Sequence, residues 1–242
     1  MKAIFFKEVS AFLSSLIAYI VLAVFFITSG LWLWVFPQTS IIESGYATLQ
    51  PFFDFAPWLL MFLASAITMR SFAEEQKTQT IELLLTLPFK EWEVVLGKFL
   101  AATFLLIIAL IPTITYVLTL YWLSTPVGNL PIGAIIGSYM GLILLGASFA
   151  SIGLFASSIT SSQTVAFLLS LFISFFFYYG FGAISQIATF IGRYDWFLEQ
   201  LGMHAHYISL GRGVIDSRDV IYFLSIISAF LFLSQLVLES RK

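Results

Sequence analysis

The sequence predicts an all-α integral membrane protein, and its composition is the first observation behind that prediction. Of the 242 residues, 60% are hydrophobic, 10% are charged and 27 are phenylalanine, and the mean hydropathy is +0.99. A soluble domain of this length needs more polar surface than such a composition supplies. The net charge of −2 sums over regions on both sides of a bilayer, so it says nothing about binding partners.

Six apolar runs are the second observation, because a membrane-spanning helix requires about 20 apolar residues. They lie at residues 16–35, 55–69, 99–123, 132–155, 164–188 and 220–238. The second run is short, and a start near Phe52 would bring it closer to full length. We therefore expect a single transmembrane domain of six helices over residues 1–242.

Residues 1–15 predict a short amphipathic helix at the membrane surface rather than a cleavable signal peptide, because no small-residue cleavage site precedes the next apolar run. Lys2, Lys7 and Glu8 form its wet side in this interpretation. With the amino terminus inside, eight Lys and Arg residues fall on the cytoplasmic side and three on the outer side, out of 11 in the chain. This distribution predicts that both termini are cytoplasmic.

The segment 70–98 lies between the second and third apolar runs and carries nine of the 24 charged residues, which are 11 basic plus 13 acidic. Ser71 and Glu74 have the spacing of a capping box, and Pro88 cannot continue the same helix, so a cytoplasmic helix of about four turns is predicted. Such a helix either docks a partner or only connects two spans along the membrane surface. Its polar face holds Glu75, Gln79, Glu82 and Thr86, and its apolar face holds Ile81, Leu84, Leu85 and Pro88.

The stretch 99–192 contains no Asp, Glu, Lys, Arg or His. Proton-coupled carriers use such groups inside the membrane, so this class of transporter is disfavoured and the energy has to come from outside the bilayer. Uncharged spans rich in Phe, Leu, Ser, Thr and Tyr suit a lipid, a lipid-linked glycan or an apolar polypeptide, and they do not identify the substrate.

No catalytic residue is predicted in this chain. Trp92 and Phe99 stand where a phosphate-binding loop around residues 97–98 would need its first Gly and its Ser or Thr. Cysteine is absent, so thiol chemistry is excluded. No metal site is expected from His204 and His206, because a separation of two positions puts them on opposite faces of a helix.

Small residues predict close helix packing in the fourth span. Gly133, Gly137 and Gly141 recur every four residues, a pattern that lets another helix approach closely, either inside the subunit or across a dimer. Pro112 predicts a bend in the third span, since proline removes one backbone hydrogen bond.

Two connecting segments offer further surfaces. The uncharged turn 157–163 is a possible cytoplasmic contact surface beside the charged helix. The segment 189–219 predicts one or two interfacial helices on the outer leaflet, the first of them capped by Asp195 and ending at Gly202.

Three stretches resemble the permease subunits of ABC-2 type exporters. Residues 80–88 (TIELLLTLP) and 97–99 (GKF) are similar to the coupling-helix signature of that family, and residues 153–158 (GLFASS) are similar to its turn between spans four and five. Residues 212–225 resemble the branch associated with bacterial gliding motility, specifically its F permease. The family usually has Gly before the Thr of the coupling helix, whereas this chain has Gln79, a better helix former, so we expect a straighter helix there.

The resemblance implies a permease subunit that hydrolyses nothing itself and is moved by a cytoplasmic ABC ATPase dimer, which binds ATP and Mg. The other implied partners are an auxiliary membrane subunit with an extracytoplasmic domain, a second copy of this chain or a similar subunit, and the lipid of the bacterial inner membrane, but no nucleic acid. The alternative is a membrane scaffold that anchors or assembles surface machinery without moving a substrate.

Coupling to the ATPase is assigned, under this resemblance, to the charged helix. We expect Glu82 to be the principal polar contact, with Glu74 and Glu75 supporting it, and Leu84 and Leu85 to fill an apolar groove. The full set of assigned residues is Arg70, Glu74, Glu75, Thr80, Glu82, Leu84, Leu85 and Pro88.

Overall fold

The computed structural model describes residues 1–80, 91–187 and 195–240, and all regular structure in these ranges is helical. Six helical stretches are long and apolar enough to cross a membrane, which confirms the predicted all-α fold with six spans. They are Leu16–Trp34, Gln50–Lys77, Glu91–Leu123, Ile132–Ile159, Gln163–Ser185 and Ser217–Glu239.

The α-helices of the described residues are numbered here in chain order. They are α1 (Lys2–Leu13), α2 (Leu16–Trp34), α3 (Ile41–Ser44), α4 (Gln50–Thr68), α5 (Ala73–Lys77), α6 (Glu91–Leu110), α7 (Ile114–Leu123), α8 (Ile132–Ile159), α9 (Gln163–Phe175), α10 (Phe181–Ser185), α11 (Asp195–Gln200), α12 (Met203–Gly211) and α13 (Ser217–Glu239). A 3-10 turn (Ile111–Thr113) joins α6 to α7, and a π-helical turn (Phe176–Gly180) joins α9 to α10.

Helix α8 lies at the centre of the bundle and packs against α4, α6, α9, α12 and α13. It is rich in Gly, Ala and Ser, which let neighbouring backbones come close. A Cβ at Gly153 would collide with Thr68 of α4, and the Oγ atoms of Ser65 and Ser170 lie 2.7 Å apart between α4 and α9. Spans α2 and α9–α10 are the least buried, so they offer the most apolar surface to lipid or to another subunit.

The second span begins earlier than the apolar run that predicts it. Helix α4 starts at Gln50 with Pro51 in its first turn, where a missing backbone N–H does no harm. Phe52 and Phe53 are buried, and the Asp54 carboxylate accepts a hydrogen bond from Gln50 Nε2 at 2.8 Å. A run counted from residue 55 therefore misses one and a half turns of this helix.

The third span bends at Pro112, as predicted. Helix α6 ends at Leu110, the 3-10 turn containing the proline follows, and α7 begins at Ile114. Thr113 Oγ1 donates to the Leu110 carbonyl at 2.7 Å and lies 3.0 Å from the hydroxyl of Tyr139 on α8. The bend is thus braced by side-chain hydrogen bonds against the central helix.

The amino-terminal helix expected over residues 1–15 is α1, and one of its faces needs correction. Lys7 is exposed as predicted, but Glu8 turns inward and its side chain is only 19% exposed. The helix lies close to α6, because a Cβ at Gly97 would be 3.1 Å from Ile4 Cγ2. Glu8 is therefore not on the wet side.

Residues 195–219, the described part of the segment 189–219, contain two short helices, α11 and α12, and α12 packs one face against the central helix α8. Its position on the outer leaflet stays a prediction. Leu210 is fully buried and Tyr207 nearly so. A Cβ at Gly137 of α8 would collide with the Leu210 carbonyl, and one at Gly141 would lie 3.0 Å from the Tyr207 ring. The glycine repeat therefore receives a helix of the same chain, and Gly133 extends it towards the carbonyl of Gly213.

A buried histidine joins α12 to its neighbours. His206 Nδ1 lies 2.7 Å from Asp219 Oδ1 at the start of α13, and Nε2 lies 2.9 Å from the Gln200 carbonyl at the end of α11. His204 instead meets the edge of Tyr178, with ring centroids 5.3 Å apart, and burial lowers the pKa of His204. The two imidazoles thus contact different groups, and His206 connects α11, α12 and α13.

Candidate functional site

The start of α5 is held by a side chain from α8. Ser157 Oγ accepts hydrogen bonds from the backbone N–H groups of Phe72 and Ala73, each at 3.0 Å. The capping box predicted from Ser71 and Glu74 is not formed, because α5 has no side-chain cap of its own and Ser157 supplies one from across the bundle. Helix α5 is therefore fixed to the central helix at its first turn.

Within the turn 157–163, the first two residues are buried, whereas Ile159, Ser161 and Ser162 are exposed, so a contact surface at the exposed residues stays a prediction. Ser157 and Ser158 are buried within the last turn of α8. Gln76 Nε2 donates to the Ser158 carbonyl at 2.7 Å, so both serines bind α5 rather than an outside partner.

Helix α5 is shorter than the four turns predicted from residue 71. It ends at Lys77, and Gln79 adopts a left-handed backbone conformation with φ +58°. That region favours glycine, because a Cβ there crowds the following carbonyl. The expectation of a straighter helix at Gln79 is wrong: the chain turns there, which explains why glycine suits this position in the family that the sequence resembles.

A buried lysine organises the site. Lys98 Nζ donates to Glu8 Oε1 at 2.7 Å, to the Ser71 carbonyl at 2.6 Å and to Glu75 Oε1 at 3.0 Å, and the Lys98 side chain is 1% exposed. These contacts use all three donors of the ammonium group. Lys7 Nζ also donates to Glu75 Oε1, at 2.9 Å. We call these four side chains, Lys7, Glu8, Glu75 and Lys98, the Lys98 cluster.

The cluster corrects the expected exposure of Glu75. Its side chain is 11% exposed and pairs with two lysines of the same chain, so it is not offered to water or to a partner. Burial lowers the pKa of Lys7, but the hydrogen bond and charge of Glu75 outweigh this effect and leave the pKa above its ordinary value. The Lys7 ammonium group is thus held in its charged form.

Sequence reasoning missed the role of Lys98. A signal exists: Lys98 is the last ionisable residue before the uncharged stretch 99–192, so it enters an apolar helix with its charge. A buried ammonium needs an acidic partner, which would have directed attention to Glu8 and Glu75.

A cavity of about 330 Å³ opens beside the cluster. Its polar wall includes four of the residues assigned to coupling, and its apolar wall comes from α1, α4 and α6. Arg70 Nε and Glu75 Oε2 are buried near it without a hydrogen-bond partner in the described part of the chain. The four assigned residues that meet here are Arg70, Glu74, Glu75 and Thr80.

The remaining assigned residues, Glu82, Leu84, Leu85 and Pro88, lie outside the described residues. Across residues 1–80, 91–187 and 195–240, no three His, Asp or Glu side chains are grouped closely enough to hold a metal ion. The site is an ionic junction between α1, α5 and α6.

Six spans, one of which is the glycine-rich central helix α8, and a charged junction between α1, α5 and α6 define a multi-pass membrane protein. The family model for ABC-2 family transporter proteins matches residues 36–242, so this chain belongs to that family. Members are membrane permease subunits of ABC transporters, whose ATPase is a separate component. A comparison with the curated proteins finds no match.

Proposed function

We propose that this chain is the membrane half of an ATP-driven exporter and that its ATPase docks on the segment 70–98. The observation that carries the proposal is the anchorage of α5. One side of α5 is bonded to α8 through Ser157 and Ser158, and the other to Lys98 of α6. A short helix held in this way transmits displacement to the spans instead of absorbing it.

The exposed part of the segment supplies the docking surface. Glu74, Lys77 and Thr80 are exposed around the buried Glu75. We propose that Glu82 adds the principal polar contact, while Leu84 and Leu85 fill an apolar groove on the ATPase. An exposed ion pair contributes only about 0–1 kcal/mol, so the leucines determine affinity and the carboxylates determine register.

The wider assembly follows from the same proposal. ATPases of this class act in pairs, so two copies of this chain, or this chain and a similar subunit, form the membrane core. The poorly buried spans α2 and α9–α10 offer the apolar surface that such an assembly needs. ATP and Mg bind to the ATPase, both termini are cytoplasmic, and the membrane is the bacterial inner membrane.

Gliding motility is the proposed biological setting, with an auxiliary subunit that carries an extracytoplasmic domain. This part of the proposal is supported by the resemblance of residues 212–225 alone.

ATP hydrolysis by the reconstituted complex in lipid nanodiscs tests the proposal. Replacing Leu84→Ala should lower the stimulated rate at a fixed ATPase concentration by at least about tenfold, because a buried interface anchor contributes roughly 2 kcal/mol or more. Glu82→Ala should lower it by at most about fivefold, because an exposed ion pair contributes only about 0–1 kcal/mol. Glu239→Ala is the matched control, since Glu239 is an exposed carboxylate at the end of α13. If hydrolysis and assembly were unchanged in both variants, the segment 70–98 would only connect two spans along the membrane surface, and the proposal would be wrong.

The scaffold alternative makes a different prediction in the same assay. A scaffold needs its ATPase for assembly only, so adding candidate lipid or glycan substrates leaves the hydrolysis rate unchanged. A transporter changes its hydrolysis rate when substrate enters the membrane core.

A further inference from the structure

We propose that Lys98 is a positioning residue that ties α5 to the amino-terminal helix α1, so that α1 and α5 move together when the ATPase acts. This inference rests on the proposed function, because it concerns how displacement leaves the docking segment. It goes beyond the family match, which begins at residue 36 and does not cover α1.

The packing of α5 is one-sided. Its backbone packs against α8 and α9. Its hydrogen bonds towards α1 and α6 come instead from one side chain, Glu75, which meets Lys7 of α1 and Lys98 of α6. Movement of α5 therefore reaches α1 through the Lys98 cluster.

The burial of Lys98 makes this connection specific. A buried ammonium is costly unless it is paired, and here Glu8 and Glu75 supply two carboxylates on two different helices. The Phe72 ring, 4.9 Å from Nζ, closes the remaining side. Because separating either carboxylate from Lys98 would take one of its two ion pairs from the buried ammonium group, the three helices keep their register when one of them moves.

Helix α1 then passes the displacement onward. It lies against α6, where Gly97 makes room for Ile4. Ser15 links α1 directly to α2: its Oγ donates to the Phe12 carbonyl at 2.8 Å and accepts from Ala18 N at 3.2 Å. Displacement of α5 thus has two routes, one into α8 and α9, and a second through Lys98 into α1 and the weakly buried span α2.

The test is Glu8→Ala in the complete complex with its ATPase, reconstituted in nanodiscs. This change removes the contact of Lys98 with α1 and leaves Lys98 paired with Glu75, so the buried charge keeps a partner and the fold is retained. The Lys7–Glu75 pair is then the remaining ionic contact between α1 and α5, and because the Lys7 side chain is 59% exposed, that pair contributes only about 0–1 kcal/mol. Glu239→Ala is the control for loss of one carboxylate. We expect the maximal stimulated hydrolysis rate to fall about fivefold, as for loss of one favourable ion pair, while the ATPase concentration giving half-maximal stimulation stays the same.

The distance between spin labels on α1 and at the end of α5 is a second readout. A purely structural role of the Lys98 cluster would not change how this distance responds to nucleotide. The chain has no cysteine, so spin labels can be placed at Ser10→Cys on α1 and at Thr78→Cys, the exposed residue directly after α5, without background. In the otherwise unchanged chain, the distance between the two labels should be the same with and without a trapped ATP analogue. In the Glu8→Ala background it should shift when the analogue is trapped.

The outcomes separate this inference from the proposed function. If the ATPase binds and is stimulated but Glu8→Ala changes neither rate nor distance, the inference is wrong and the proposed function stands. The inference is also wrong if the distance between the two labels changes with nucleotide in the chain that keeps Glu8, because α1 and α5 would then move separately. If the ATPase is neither bound nor stimulated by the unaltered chain, both proposals fail.

Discussion

Lys98 brings a positive charge to a place that water does not reach. Replacing it by methionine keeps the volume but leaves Glu8 and Glu75 buried with only Lys7 nearby. Breaking a buried pair in this way costs about 3–5 kcal/mol, so Lys98→Met should lower the free energy of unfolding by that amount. Denaturant titration in a single detergent would measure the difference.

A compensated variant separates charge from packing. Removing the two carboxylates as well, in Glu8→Gln/Glu75→Gln/Lys98→Met, should restore most of the lost stability, because whole buried ion groups can be replaced at little net cost. If Lys98→Met alone were as stable as the unaltered chain, the cluster would not be the buried junction described.

Gln79 presents the opposite case, a residue that fits its position poorly. Its φ of +58° costs a residue with a Cβ roughly 1–2 kcal/mol, and glycine avoids this cost. Gln79→Gly should therefore slow amide hydrogen exchange in the peptide covering residues 73–80 by about fivefold, equivalent to roughly 1 kcal/mol. Gln79→Ala is the control, since alanine keeps the Cβ, and faster exchange in the glycine variant would contradict the prediction.

Among the helices, the contact of α12 with α8 depends on one glycine. A methyl group at position 137 would collide with the Leu210 carbonyl, and a backbone atom cannot rotate away as a side chain can. Gly137→Ala should destabilise the protein by about 1–3 kcal/mol. At this chain length that is a fall of roughly 2–4 °C in Tm per kcal/mol.

Gly182→Ala is the matched control for this contact. A Cβ at Gly182 in α10 meets no atom within 4 Å, so the change should leave Tm unchanged or raise it slightly. Equal Tm values for the two alanine variants would mean that α12 does not depend on its close approach to α8.

The elements differ in how far the sequence predicts them. The spans were predictable because bilayer thickness sets their length and apolar composition marks it, and Pro112 marked the bend. The bonds that build the site were not predictable in this way. Lys98 and Glu8 are 90 positions apart, and Ser157 and Phe72 are 85. Their pairing follows from the arrangement of the spans, which local patterns do not encode.

The same reason explains why the cap of α5 and the packing of α12 on α8 were not predicted. The Ser71 and Glu74 spacing is a valid local signal for a helix start, but Ser157 competes for the same N–H groups and prevails. For α12, the mixture of apolar and polar residues is typical of a surface helix, and only the facing glycines on α8 show that it can be buried.

For the molecule as a whole, the distribution of basic residues predicts both termini in the cytoplasm. The absence of native cysteine allows single labels at three exposed positions: Lys2→Cys, Glu239→Cys and Val214→Cys. A membrane-impermeant maleimide added to intact spheroplasts should label only the position between α12 and α13. Labels at the other two should appear only after the membrane is opened, and the reverse pattern would invert the topology.

The packing of α12 against α8 also determines the order of folding steps during biosynthesis. Ribosomes make α12 before α13, so Asp219, the partner of His206, does not yet exist when α12 has just been synthesised. Docking of α12 onto α8 can be completed only after the last span has inserted, which makes it a closing step of maturation. A nascent chain arrested before residue 217 would leave the glycine groove of α8 uncovered. Membrane quality-control proteases degrade chains that expose surfaces of this kind.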